Sequence, residues 1–143
     1  MAAQIVTDFI PVSTRGDCDI VDLTPAIHKL IQKHQFVEGQ VLVFAPGSTA
    51  GITTVEYEPG LLKDLPAFFE KLAPKGGLYH HEETWHDGNG HSHVRASLLG
   101  PSITVPFLGG RLLLGEWQQV ILLDFDNRPR RREVVAQISG KRE

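Results

Sequence analysis

The chain has 143 residues, of which 41% are hydrophobic and 22% charged, so we expect one globular domain with a sizeable core and exclude wholesale disorder. Its 14 Lys and Arg against 17 Asp and Glu give a formal net charge of −3, which removes a general electrostatic reason to expect a nucleic-acid partner. A single cysteine excludes an internal disulfide framework and favours a reducing compartment. Residues 1–8 show no secretory signal and no apolar run reaches the roughly 18 to 20 residues that cross a bilayer, so we expect a cytoplasmic protein without a membrane partner.

Strands outnumber helices in the predicted order of elements. Segments rich in β-branched residues predict strands, and apolar residues that recur at helical spacing predict helices. In chain order these are strands over 4–12 and 20–21, a helix over 25–35, strands over 41–44 and 52–57, a helix over 61–72, an irregular polar stretch over 78–89, renewed order over 91–99, and strands over 103–106, 111–116, 117–125 and 133–138. Few helices among many strands indicate an α+β fold in one domain, residues 1–143.

Local signals mark the ends of the first helix and the character of the strand that follows it. Thr24 is the predicted N-cap and Pro25 the first helical residue, where a missing N–H costs nothing. Gly39 is expected to help end the helix. The continuous apolar run over 41–44 suits a strand that is buried on both faces.

Five of the seven histidines lie within positions 80–93, in a polar stretch that also carries carboxylates. They are His80, His81, His86, His91 and His93, accompanied by Glu82, Glu83, Asp87 and Asn89. Imidazole is a common metal ligand and the usual acid–base group near neutral pH. On an extended backbone His91 and His93 share a face, and a metal ion there needs a third ligand, for which His81 and Glu56 are the candidates. The alternative is that these histidines are exposed or pack against aromatic neighbours.

The turn over 46–51 consists of small residues and hydroxyls between two apolar strands. Its backbone N–H groups and the hydroxyls of Ser48 and Thr49 are suited to an anionic group such as phosphate. It lacks the lysine of a P-loop, which argues against a nucleoside triphosphate site. The alternative is a tight connection without a ligand.

Other candidate residues lie outside these two segments. Glu56, in an otherwise apolar strand, needs a partner and is a candidate base, metal ligand or substrate anchor. Asp64 is either a site carboxylate or a charge stabilised by the start of its helix. Trp117 offers a stacking face beside the amide of Gln118, unless it belongs to the core. The arginines within 128–132 are either solvated or contact phosphate or a neighbouring subunit.

In this order the motifs resemble the YjbQ family, also labelled secondary thiamine-phosphate synthase enzymes, from about residue 9 to residue 140. The segments that carry the resemblance are 38–41, 48–53, Glu56 with Asp64, 79–81, 87–93, 97–102, 110–115 and Trp117 with Gln118. The resemblance implies a compact α+β subunit with a mixed, mostly antiparallel sheet or sandwich and two to three helices. It also implies a homotrimer with a polar site near the subunit boundary.

The resemblance implies a transferase that joins a pyrimidine diphosphate to a thiazole phosphate, or an enzyme that carries out a related reaction on a phosphorylated metabolite. The family's site positions correspond to Glu56, Asp64, His81 and His93, with Trp117 and Gln118 nearby. In this interpretation His81 and His93 perform acid–base chemistry or bind a metal, and the two carboxylates orient the substrate. Ser48, Thr49, Asn89, Trp117 and Gln118 form the candidate substrate-binding set, and His81, His91 and His93 the candidate ligands of a divalent zinc or magnesium ion.

One position departs from the family's pattern. The family has His-Thr-Thr or His-Thr-Ser where this chain has Gly47, Ser48 and Thr49, and a glycine can neither ligate a metal nor transfer a proton. Either the chemistry is altered or lost, or His91 or His86 takes the place of that histidine. Three functions therefore stay open: the transferase, a metal-assisted hydrolase, and a non-catalytic protein that binds a small phosphorylated or heterocyclic ligand.

Overall fold

The computed structural model describes residues 3–143, and within that range it forms one compact α+β domain with four helices and two antiparallel sheets. The helices are α1 (Thr24–Lys33), α2 (Pro59–Leu72), α3 (His81–Trp85) and α4 (Gly90–Leu99). The strands are β1 (Gln4–Thr14), β2 (Asp19–Asp22), β3 (Phe36–Phe44), β4 (Ala50–Val55), β5 (Ser102–Leu108), β6 (Arg111–Leu112), β7 (Gln119–Asp124) and β8 (Arg130–Arg142). The expected fold class is confirmed. The described residues form four helices where two to three were predicted.

The strands form two layers, and helices cover one of them. The five-stranded sheet has the order β1-β8-β3-β5-β6, and the three-stranded sheet has the order β2-β7-β4. Strand β7 lies in the middle: Val120 and Leu122 pack toward the five-stranded sheet and α1, whereas Ile121 and Leu123 pack toward α2 and α4. All four side chains are fully buried. A continuous apolar run therefore marks β7 as the strand that is covered on both faces.

Strand β3 does not have the two-sided burial that we expected for residues 41–44. Val41 and Val43 are fully buried, but Phe44 is 38% exposed. The reason is that β3 belongs to the five-stranded sheet, of which only one face lies in the core. Gly39 does not end α1 either. It lies within β3 beside Gly140, where a Cβ would meet the Ser139 carbonyl oxygen at 2.0 Å, so the close pairing of β3 with β8 requires glycine there.

Helix α1 begins one residue earlier than predicted and without the expected side-chain cap. Leu23 is the N-cap, and the Thr24 hydroxyl accepts a hydrogen bond from the Val120 N–H instead, which ties the helix to β7. Ile27 and Ile31, one turn apart, are its fully buried face. Helix α2 begins at Pro59 because the Glu58 carboxylate caps the N–H groups of the first turn.

The stretch that we predicted to be irregular contains α3, and the stretch that follows it forms α4. Helix α4 buries three polar side chains, His91, Ser92 and Arg95, beside the small Ala96, so its sequence lacks the usual period of large hydrophobic residues. Arg95 is a clear case, because its Nε donates to the Ala73 carbonyl at 2.9 Å and its Nη2 to Glu70 at 2.8 Å. Within residues 3–143 no helix combines the length and the apolar character that crossing a membrane requires.

Candidate functional site

A polar cavity of about 550 Å³ lies where the β3–β4 loop, the β7–β8 turn and the start of α4 meet the first residues of β8. Its lining comprises Gly47, Ser48, Thr49, Asp87, Asn89, His93, Asp126, Asn127, Arg128, Arg130 and Arg132. Apart from the glycine, every residue in this lining has a polar side chain. We call this space the arginine cavity.

A buried ion pair forms the floor of the arginine cavity. The Arg132 guanidinium donates from Nε to Asp124 Oδ2 and from Nη2 to Asp124 Oδ1, both at 2.9 Å. The Asp124 carboxylate also accepts from the Thr14 hydroxyl at 2.6 Å and from the Asp126 N–H at 3.1 Å. Asp124 and Arg132 are both buried, so this paired geometry fixes the orientation of the guanidinium.

A second ion pair lies beside the first and shares Thr49 with it. The Thr49 hydroxyl accepts from Arg132 Nη2 at 2.7 Å and donates to Asp126 Oδ2 at 3.0 Å, and Arg130 Nη1 donates to the same oxygen at 2.9 Å. Burial alone would raise the pKa of Asp126, but its hydrogen bonds and the charge of Arg130 hold that pKa below its usual range. Asp126 is therefore an ionised carboxylate that balances Arg130.

Several donors in the cavity lining have no hydrogen-bond partner within the described part of the chain. They include the Ser48 hydroxyl, the Arg128 guanidinium and the Nη1 group of Arg132. Arg128 also has no acidic partner among residues 3–143, whereas Arg130 and Arg132 do. The cavity thus offers N–H and O–H groups, and the charge of one arginine, to an anion.

A cluster of two histidines and two carboxylates shares a wall with the cavity. The ring centroids of His81 and His93 are 4.5 Å apart, and His81 Nε2 lies 3.3 Å from Asp87 Oδ1. Single ligand atoms of His81, Glu82 and Asp87 all lie within 4.8 Å of one another. His93 and Asp87 also line the cavity, so the cluster and the anion donors face one space.

Two details of this cluster bear on metal binding. The Nε2 atom of His81 is buried and has no aligned hydrogen-bond partner within residues 3–143, although Asp87 is near enough for an ion pair. A buried imidazole nitrogen with a free lone pair fits a metal ion. The Glu82 carboxylate accepts from the N–H groups of Gly88 at 2.6 Å and Gly90 at 2.8 Å, which holds the loop before α4 in place.

The structure brings together only part of the candidate site. Ser48, Thr49, Asn89 and His93 line the arginine cavity, and His81 lies directly behind His93. Asn89 is positioned by the chain around it, because its side-chain oxygen accepts hydrogen bonds from the Ser92 hydroxyl and, at 3.2 Å, from the Asn127 N–H.

The remaining candidates lie elsewhere in the subunit. Thr49 immediately precedes β4 and Glu56 immediately follows it, so the length of the strand separates them by roughly 20 Å. Gln118 hydrogen-bonds to Thr54 and to the Gly115 N–H, and Trp117 beside it is 66% exposed. Asp64 is exposed on α2 and makes no ion pair with a described residue. Their assignment to a site stays a prediction.

His91 is not placed beside His93 as an extended backbone would place it. Both lie on α4, where residues two apart point to nearly opposite sides. His91 is buried, and burial together with the nearby Arg95 lowers its pKa, so its imidazole is held neutral. Neither His91 nor His86 lines the arginine cavity, and the structure offers no support for either as a replacement at the position of Gly47.

The sequence contained an unused signal for Asp124 and Asp126. Both interrupt the apolar end of the segment that we predicted as a strand over 117–125 and its following turn. A carboxylate in a buried strand requires a cationic or hydrogen-bonding partner, and the nearest cations in sequence are the arginines at 130 and 132. Glu56 meets the same criterion in the sequence, but the structure leaves it exposed.

Comparison with known proteins assigns the family. A family model described as "UPF0047 protein YjbQ-like" matches residues 8–141. The chain belongs to the YjbQ-like UPF0047 family. A UPF0047 protein of Archaeoglobus fulgidus is 37% identical over 126 residues, which cover 88% of this chain and 95% of the relative. UPF0047 protein Rv2556c of Mycobacterium tuberculosis is 36% identical over 135 residues, which cover 94% of this chain and 98% of that protein.

Solved structures of YjbQ-like proteins share the fold. A YbjQ-like protein of unknown function from Sulfolobus solfataricus, SSO2532, superposes with a TM-score of 0.92 at 28% identity and covers 98% of this chain and 100% of its own. The hypothetical protein APE1520 from Aeropyrum pernix superposes with a TM-score of 0.88 at 30% identity, over 95% of this chain and 99% of its own. This chain is accordingly a conserved YjbQ-like protein, and the names of these four relatives state no activity.

Proposed function

We propose that this YjbQ-like protein is an enzyme that acts on a small, hydrophilic phosphorylated compound bound in the arginine cavity. The observation that carries the proposal is the lining: unpaired donors from Ser48, Arg128 and Arg132 face the same space as His93 and Asp87. Arginine is well suited to binding phosphate because its planar N–H groups match phosphate oxygens. The site thus combines anion binding with acid–base groups.

The lining also limits the rest of the substrate. The cavity volume of about 550 Å³ falls within the range for small-molecule sites. Such sites are usually lined by apolar and aromatic side chains, whereas this lining has no aliphatic side chain and, besides the His93 imidazole, no aromatic ring. A compound that carries hydroxyl or carboxylate groups next to its phosphate fits this lining better than a methylated heterocycle does.

Thiamine-phosphate synthesis, which the resemblance implies, requires two heterocyclic substrates. Trp117 would offer a stacking face, but it lies at the far end of β4 from the arginine cavity within the subunit. The geometry therefore favours the second candidate, a metal-assisted phosphate hydrolase. The two reactions share the phosphate-binding residues and differ in what occupies the rest of the cavity.

The histidine and carboxylate cluster fits a divalent metal ion. One imidazole nitrogen and two carboxylates suit zinc better than magnesium, which prefers oxygen ligands alone. A metal held by His81, Glu82 and Asp87 would polarise the phosphate and lower the pKa of a bound water. His93, which is not a member of this ligand group but faces the cavity, would hold or donate a proton at the leaving-group oxygen.

A substrate panel tests the proposal. Metal ions are first removed from the protein with a chelator, and Zn²⁺, Mn²⁺ or Mg²⁺ is then added. Release of inorganic phosphate is measured with phosphorylated sugars and phosphorylated hydroxy acids as substrates. In a separate assay, the two thiamine precursors are supplied together and formation of thiamine phosphate is measured. We expect His93→Ala to lower kcat about 10²- to 10⁴-fold. His80→Ala is the control, because the His80 side chain is 97% exposed and lies outside the cluster.

The outcomes separate the three functions. Phosphate release that depends on the metal and on His93 supports the hydrolase, and thiamine phosphate formation supports the transferase. Tight binding of a phosphorylated compound without any turnover supports the non-catalytic binding protein. A wild-type protein that neither binds nor turns over any member of the panel contradicts the proposal.

We also propose the homotrimer that the resemblance implies, in a cytoplasmic setting that agrees with a single buried cysteine. Its support is an apolar row on the outer face of the five-stranded sheet. Phe9 and Phe44 both pair with Val135, and they are 50% and 38% exposed. Sedimentation should give three subunits and Phe9→Lys should dissociate them, whereas a monomeric wild type contradicts the trimer.

A further inference from the structure

Gly47 leaves a small space at the floor of the arginine cavity. A Cβ built on Gly47 would lie 2.8 Å from Nη1 of Arg132, and no other described heavy atom outside its immediate chain neighbours lies within 4 Å of that point. The backbone at Gly47 has φ +129°, a conformation that residues with a Cβ rarely adopt. The space beside Arg132 Nη1 is therefore open, and the backbone conformation at position 47 disfavours any residue whose Cβ would fill it.

Among the three nitrogens of the Arg132 guanidinium, Nη1 is the one that makes no hydrogen bond with a described residue. Asp124 holds Nε and Nη2, and Thr49 accepts a second hydrogen bond from Nη2. Nη1 makes no hydrogen bond within residues 3–143 and points toward Gly47. Because the guanidinium is planar and already fixed, an anion that binds Nη1 meets a donor that loses little conformational freedom.

A side chain at position 47 would crowd the Nη1 group of Arg132. An oxygen that accepts a hydrogen bond from Nη1 lies about 2.9 Å from it, nearly the distance at which the Cβ would lie. A side chain at position 47 would therefore compete with a bound oxyanion for the space beside Nη1. Ser48, the next residue, and Arg128 also bring side-chain donors to the lining that have no partner within residues 3–143.

We propose that Gly47 determines specificity in the arginine cavity by admitting a terminal phosphoryl oxygen to Nη1 of Arg132. This inference rests on the proposed function and narrows its substrate class to phosphate monoesters. A monoester has three terminal oxygens to share among Arg132, Ser48 and Arg128, and a dianionic charge that the unbalanced Arg128 attracts. A phosphodiester has only two terminal oxygens, and its second ester group takes the place of the third.

Calorimetric titration with inorganic phosphate and with glycerol phosphate tests the inference. Gly47→Ala should weaken binding of both about tenfold or more, the loss expected for one hydrogen bond to a charged group. Gly109→Ala is the matched control, because Gly109 also has a positive φ (+61°) but no described atom within 4 Å of its Cβ position. We expect Gly109→Ala to bind as the wild type does. Dimethyl phosphate, a diester, should bind at least tenfold more weakly than glycerol phosphate.

A crystal structure of the wild type with glycerol phosphate tests the same inference without a substitution, in case Gly47→Ala misfolds. A phosphate oxygen within about 3.2 Å of Arg132 Nη1 supports it. A phosphate that contacts Arg128 or Arg130 but not Nη1, or a Gly47→Ala variant that binds within threefold of the wild type, overturns the specificity role and leaves the proposed function standing. A wild type that binds no phosphate compound overturns both.

Discussion

The buried pair of Asp124 and Arg132 supports the floor of the cavity, and Asp124→Asn should destabilise the protein strongly. The carboxylate accepts four hydrogen bonds, two of them from Arg132 at 2.9 Å. Asparagine keeps the shape but removes the only carboxylate that hydrogen-bonds to Arg132 within residues 3–143, and the next carboxylate, Asp126, lies 3.9 Å from Nη2. Removing one partner of a buried pair costs about 3 to 5 kcal/mol of unfolding free energy. At about 2 to 4 °C per kcal/mol for a domain of this size, Tm should fall by roughly 6 to 20 °C.

Urea denaturation and differential scanning calorimetry measure this change. Asp17→Asn is the control, because Asp17 pairs with Lys75 at the surface with both side chains 53% exposed, and a surface pair contributes about 1 kcal/mol or less. Asp17 has a φ of +49°, which asparagine tolerates well. The double variant Asp124→Leu, Arg132→Met should recover most of the stability but lose phosphate binding. A loss of under 1 kcal/mol for Asp124→Asn refutes the reasoning.

Three further predictions concern pH and the loop before α4. Hydrogen bonds from His34 and the Phe9 N–H lower the pKa of Asp8 from 3.8 to about 2. The ionised Asp8 therefore stabilises the fold above pH 3.8, and this contribution is lost as the pH falls toward 2. In Asp8→Asn, the unfolding free energy should depend less on pH over that interval. Burial lowers the pKa of His91, so below about pH 6.5 this imidazole binds a proton more readily in the unfolded chain than in the folded one. The unfolding free energy of the wild type should therefore fall on acidification. His91→Phe should remove that part of the fall. Glu82→Gln should speed amide exchange at the residues that its carboxylate holds, Gly88 and Gly90, while exchange in β7 stays unchanged. An unaltered pH slope in either of the first two variants, or unaltered exchange in the third, contradicts the corresponding contact.

Periodicity was enough to predict the fold class and most elements, because strands and helices with an apolar face repeat at 2.0 or 3.6 residues. It failed at α4, where His91, Ser92 and Arg95 are buried through hydrogen bonds rather than hydrophobicity. It also predicted burial on both faces for residues 41–44, which was wrong. An apolar run does not reveal whether its strand lies in the five-stranded sheet, with one buried face, or in the three-stranded sheet, where β7 is buried on both.

The sequence predicted those members of the candidate site that lie close together along the chain. The histidine stretch and the loop with Ser48 and Thr49 each supplied members of the cavity, whereas their approach to the arginines depends on the pairing of β8 with β1 and β3, which sequence spacing does not encode. Glu56 illustrates the opposite case. Its position between apolar residues suggested burial, but it follows the last residue of β4 and is exposed.

The central claim is that the arginine cavity binds the phosphate of a small molecule, and the affinity of Arg128→Gln for glycerol phosphate tests it most directly. Arg128 is exposed and its side chain makes no hydrogen bond with residues 3–143, so its replacement should leave Tm unchanged. Arg131→Gln is the control, because Arg131 is an exposed arginine of β8 outside the cavity lining. We predict that Arg128→Gln weakens binding about tenfold or more and that Arg131→Gln does not. Equal affinities in the wild type and both variants would contradict the claim.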